Sequence, residues 1–118
     1  MIPNDYPSLN FDLGETADML RDSVRSFASD EVAPRAADIE RANDFPEDLW
    51  RKMGDLGVLG ITVEEEYGGA GLGVTEAAIM MQTIAESGAA MSGASAIHIA
   101  IFGLNPVVVF GTEEQKRE

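Results

Sequence analysis

The run from Val58 to Gly73, Val-Leu-Gly-Ile-Thr-Val-Glu-Glu-Glu-Tyr-Gly-Gly-Ala-Gly-Leu-Gly, limits what this chain can fold into more than any other stretch. Gly68, Gly69, Gly71 and Gly73 permit positive-φ backbone that residues with a Cβ resist, so a tight loop of fixed shape is expected and no regular helix can cross it. The apolar, β-branched residues from Val58 to Val63 are too few for a globular helix and read as a buried extended segment. Glu64, Glu65 and Glu66 then turn the chain polar. The residues before the run read as amphipathic surface helices, and those after it as buried ones.

Residues 1–12, with Pro3, Pro7 and Asn10, read as an irregular arm. From Glu15 the pattern is helical: Ala17, Leu20, Val24, Phe27, Ala28 and Val32 form one apolar stripe, while Asp18, Arg21, Asp22 and Arg25 fall on other faces. Pro34 disfavours helix in Ala33 and removes a donor, so this helix ends or kinks there. A short helix follows from Pro34 towards Arg41. Asn43-Asp44-Phe45-Pro46 reads as a turn into a third helix, with Pro46 in the first turn, Glu47 and Asp48 near the positive end of the dipole, and Gly57 as terminator. Leu49, Met53 and Leu56 are its expected inner face, with Trp50 beside it as a packing residue.

Beyond the glycines, Thr75 is placed to cap a helix ending near Gly88, apolar around most of its circumference. Ser92 is placed to cap the next, Gly93 to Gly103, which has no formal charge and is expected near the centre of the assembled protein. Asn105-Pro106 reads as the start of a short separate helix, Val107 to Phe110, although three consecutive valines have strand propensity. Thr112-Glu113-Glu114-Gln115 fits a capping box and starts a last helix at Glu113. A domain seldom stops so soon after a helix start, so a longer polypeptide is expected. The sum is an all-α bundle of about six helices with a glycine-rich loop, one domain over residues 1–118.

Charge and composition remove several classes of function. With 21 acidic residues against 8 basic ones the net charge is −13, which repels phosphate backbones and argues against nucleic-acid binding. The absence of cysteine removes disulfides and thiol chemistry. The N-terminus shows neither a signal nor a transit peptide. The stretch from Ser87 to Thr112, interrupted by Gly, Ser, Asn and Pro, suits a core helix better than a membrane span. A cytoplasmic location is expected, or the mitochondrial matrix in a eukaryote.

No residue pattern carries catalysis. The glycine loop lacks both the dinucleotide fingerprint and the Lys-Ser/Thr pair of a phosphate loop, and its three glutamates repel anions, so it reads as a structural turn. His98, the single histidine, reads as a satisfied interior or interface group, and no His or Cys cluster offers a metal site. The acidic run reads as solvated charge rather than a cation site. Met80, Met81 and Met91 read as core filling, though an adaptable acyl pocket uses the same residue type.

Taken together, Glu31-Val32-Ala33-Pro34, Phe45-Pro46, Leu49-Trp50, Met53-Gly54-Asp55-Leu56-Gly57, the Ile61–Gly73 run and Phe110-Gly111-Thr112-Glu113-Glu114-Gln115-Lys116 resemble the N-terminal helical domain of the acyl-CoA dehydrogenase family. The likeness covers Phe11 to Glu118. Residues 11–73 are most similar to isovaleryl-CoA dehydrogenase-type members, and Val74 to Glu118 to other, less defined members. Family members usually have proline where this chain has Glu64, which leaves this loop less rigid.

The resemblance implies an FAD-dependent enzyme, usually a homotetramer, that removes hydrogen from the α- and β-carbons of an acyl-CoA and passes electrons to electron-transfer flavoprotein. It also implies that the catalytic glutamate and most of the FAD site belong to middle β and C-terminal helical domains absent from these residues. The fragment alone is then expected to be inactive. By the same resemblance Ala94, Ser95, His98 and Phe102 line the deep end of the acyl pocket, with no catalytic residue and no assigned cofactor-binding residue in this segment. Two alternatives stand beside it. One is the equivalent domain of an acyl-CoA oxidase or flavin monooxygenase of the same superfamily; the other is a free-standing, non-enzymatic helical interaction module.

Overall fold

The computed structural model describes residues 11–118, apart from the side chains of Ala89 and Ala90. The arm expected over residues 1–12 therefore lies almost wholly outside the described residues. Five helices of seven residues or more, α1 Glu15–Phe27, α2 Ala36–Ala42, α3 Glu47–Leu56, α4 Val74–Ile84 and α5 Ala90–Phe110, are followed by a short helix, α6 Glu113–Arg117. No strand occurs among the described residues. The molecule measures 44 × 37 × 19 Å, and its least dimension is about two helix diameters.

The stripe on α1 folds as its spacing predicts. Ala17, Val24, Ala28 and Val32 are buried, and Leu20 and Phe27 pack beside them. The α-helix gives way at Ala28 to a wider π-helical turn, and Ala33–Arg35 tightens into a 3₁₀ turn around Pro34 before α2 begins. Asn43, left-handed at φ 51°, closes α2. Pro46 precedes the first turn of α3 rather than lying within it, and Gly57 at φ 84° ends that helix.

Leu49 and Met53 of α3 are fully buried, but Leu56 is 38% exposed, so the inner face is narrower than its spacing suggests. Trp50 packs edge-on against Phe45, with ring centroids 5.3 Å apart. A bidentate Arg35–Asp48 pair at 2.7 and 2.8 Å joins the 3₁₀ turn to α3, and its hydrogen bonds hold the Asp48 carboxyl below its ordinary range. Lys52 pairs with Glu31 alongside. These are exposed charges that fix orientation more than they add stability.

The Val58–Val63 segment is buried at Val58 and Ile61, but it is a chain of turns and not extended. The reason lies in its hydrogen bonds, which go to the glycine loop instead of a neighbouring strand. Gly60 accepts from Ala70 at 3.0 Å, Ile61 from Leu72 at 2.9 Å and Val63 from Gly71 at 2.8 Å. Gly69 is essential to this crossing, because a Cβ there would collide with the Val63 carbonyl oxygen.

Gly73, not Thr75, precedes α4, and its N–H donates to the Glu76 carboxylate at 2.9 Å. Ala77, Met80 and Ile84 of this helix are buried with Val24, Met53 and Ile61 in the main core, and Ile79 and Thr83 are buried as well. Gly88, at φ 98°, turns the chain from α4 into α5. The expected division of α5 is absent: the helix runs from Ala90 through Gly103 and Pro106 to Phe110, and Ser92 and Asn105 lie inside it rather than capping. Pro106 removes the one bond that its N–H would give Phe102, and the remaining backbone bonds carry the helix across. Gly111 ends it, its N–H donating to Val107 at 2.8 Å. Thr112 and Gln115 then form the reciprocal capping box that their spacing predicts.

Candidate functional site

The longest helix is also the least covered. In α5, Gly93 and Ile97 are buried against the core, whereas Met91, Ile99, Leu104, Val109 and Phe110 are exposed. Met91 is 76% exposed and Phe102 59% exposed, values that apolar side chains reach singly on most surfaces but seldom in a row along one helix. The molecule is about two helices thick, so α5 is covered on its α4 side and open on the other. From Met91 to Phe110 it is long and apolar enough to cross a bilayer by length and composition, with a mean hydropathy of 1.7.

The four residues expected to line an acyl pocket lie on that helix. At 100° per residue Ala94, Ser95, His98 and Phe102 share an arc of about 100°, and Met91 falls within it. Ala94 and Ser95 are half-buried; His98 and Phe102 are exposed. The rings of His98 and Phe102 stack nearly parallel, 5.1 Å between centroids and 16° between planes. Of the two placements expected for His98, interior or interface, the interior one is not met within this domain, because this face has no cover here. Residue counting alone could have found the shared arc, but not the ring stack or the openness.

A second feature joins the glycine loop to the end of the chain, and no sequence pattern pointed to it. Tyr67, 46 residues from Glu113, donates its hydroxyl to the Glu113 carboxylate at 2.7 Å. Lys116 and Arg117 stand over its ring at 5.7 and 5.3 Å. The hydrogen bond to Glu113, with desolvation and the charges of Glu113 and Glu66, pushes the Tyr67 phenol up to about 12. Beneath this clasp lies an apolar cavity of about 270 Å³, whose walls include Val63, Leu104, Val107 and Val108.

The glycine loop does not fit the phosphates of a flavin dinucleotide. Its five successive N–H groups from Gly68 to Leu72 donate to Glu65, Glu64, Gly60, Val63 and Ile61, so none remains for an anion. Glu64, Glu65 and Glu66 are exposed beside it. Among the described residues no three His, Cys, Asp or Glu side chains converge to hold a metal ion.

These observations define a class, an all-α unit with one apolar helix face open and its loop amides spent internally. Comparison with known proteins gives that class a family. Residues 14–118 match the family model described as acyl-CoA dehydrogenase, N-terminal domain. The chain belongs to this family. It is 42% identical over 98 residues to an acyl-CoA dehydrogenase of Bacillus subtilis, covering 83% of this chain and 26% of that protein. It is 41% identical over 113 residues to a mitochondrial isovaleryl-CoA dehydrogenase of Solanum tuberosum, covering 94% and 27%. A short-chain specific acyl-CoA dehydrogenase of Bos taurus is 36% identical over 107 residues, covering 91% and 26%. The chain therefore spans about a quarter of the length of these relatives.

Proposed function

We propose that these residues form the N-terminal domain of an FAD-dependent acyl-CoA dehydrogenase and that the open face of α5 walls its acyl pocket. The observation that carries the reading is the open arc of Ala94, Ser95, His98 and Phe102 on a helix without a charged residue. An acyl chain needs an apolar surface closed to water, and one helix supplies one side of it. The flavin and the base that takes the α-proton belong elsewhere in the enzyme, since this domain's loop does not fit a dinucleotide. Taken alone, the domain is inactive. The family match supports protein and substrate as the cover over α5 in preference to lipid, and on the same reading the enzyme works in the cytoplasm or mitochondrial matrix.

The electron acceptor is electron-transfer flavoprotein and the assembly a homo-oligomer, both drawn from the family reading. The test is to purify from its native cells the polypeptide that carries these residues and assay acyl-CoA-dependent reduction of an electron-accepting dye. Turnover of an acyl-CoA series, with a flavin absorbance band, is the expected result. A flavin-free polypeptide inert towards every acyl-CoA would contradict the proposal and favour a non-enzymatic helical module. Dioxygen consumption without dye reduction would move it to the oxidases of the superfamily.

A further inference from the structure

Two polar side chains interrupt the open arc of α5. Ser95 and His98 stand one turn apart among Met91, Ala94 and Phe102, and neither makes a hydrogen bond to another described residue. The stack on Phe102 holds the imidazole by its face, which leaves its ring nitrogens free at the edge. While the face is open, water serves both groups. Once it walls a pocket, as the proposed function requires and on which this inference rests, water is displaced and both groups need a partner. A plain alkyl chain offers none.

We infer that the acyl substrate carries an uncharged oxygen function, a hydroxyl or ketone, at the depth of Ser95 and His98. A hydroxyl or keto oxygen accepts from the serine hydroxyl or the imidazole N–H, and a hydroxyl turned to the unprotonated ring nitrogen donates to it instead. A carboxylate fits less well, because Ala90–Phe110 carries no Lys or Arg and the chain's net charge is −13. The interrupted arc thus reads length through Phe102 and polarity through Ser95 and His98.

The experiment uses the full polypeptide that carries this domain and pairs of acyl-CoAs matched in length, one alkyl and one bearing a hydroxyl near the end of the acyl chain. The expected kcat/KM ratio favours the hydroxylated member by about tenfold or more, since a site built to hydrogen-bond a substrate hydroxyl rejects the analogue without it, by ~10⁴ at the upper end. His98→Leu and Ser95→Ala are each expected to lower that ratio, whatever they do to alkyl turnover, and His98→Asn, which keeps a donor and an acceptor, to restore part of it. Preference for the alkyl member, unchanged in these variants, would overturn the inference and leave the proposed function intact. Inertness towards both members would overturn both together.

Discussion

Gly69 shows how one missing atom fixes the fold around the glycine loop. Its Cβ position is occupied by the Val63 carbonyl and side chain, so Gly69→Ala must separate two segments joined by three backbone hydrogen bonds. We expect a loss on the order of 3 kcal/mol, measured by urea unfolding. Tyr67 is the other residue whose environment is unusual. Its phenol is pushed up to about 12 from an ordinary 10.0, chiefly by the bond it donates to Glu113. A folded value above the unfolded one means that the contact stabilises fully below about pH 10 and is lost as pH rises from there to about 12. Phenolate absorbance of a Tyr6→Phe variant should therefore have its midpoint well above 10.0, and Glu113→Gln should bring it down. A midpoint already at the ordinary value would mean that the clasp does not form.

Elements differ in how plainly the sequence announces them. The apolar stripe of α1 shows in its spacing, and the stop at Gly57 and the Thr112–Gln115 capping box depend on contacts within a few residues, so all three were legible. The Val58–Val63 segment was not, because its hydrogen-bond partners lie in the glycine loop and propensity sees only the segment itself. Pro106 and Asn105 suggested a second helix where one continuous helix exists, since a single lost bond is tolerated when its neighbours persist. In α3 the spacing made Leu49 and Leu56 equivalent, yet the first is buried and the second 38% exposed. Leu49→Ala should destabilise the fold by about 3 kcal/mol and Leu56→Ala by less than about 1 kcal/mol, as judged by urea midpoints. Equal losses would mean that Leu56 is as deeply packed as Leu49.

At the scale of the whole molecule, a unit 19 Å thick has room to cover α5 on one side only. The sequence placed this helix near the centre of an assembled protein, and within this domain it lies at the surface with Phe110 86% exposed. Both statements hold if other protein covers it, as the match to proteins about four times as long leads one to expect. The arc of Ala94, Ser95, His98 and Phe102 could be read from helical spacing once the family was recognised. The Tyr67 clasp and the His98–Phe102 stack could not, because they depend on how side chains meet in space.

The central claim, that this arc walls an acyl pocket, is tested most directly by the acyl-chain-length profile of kcat/KM for the full polypeptide and its Phe102→Ala variant. If Phe102 limits the depth of the pocket, truncation should move the optimum to longer chains and raise the long-to-short ratio by about tenfold, the discrimination that a methylene or two confers in an apolar site. A profile of unchanged shape, whatever its height, would contradict the claim and place Phe102 outside the pocket.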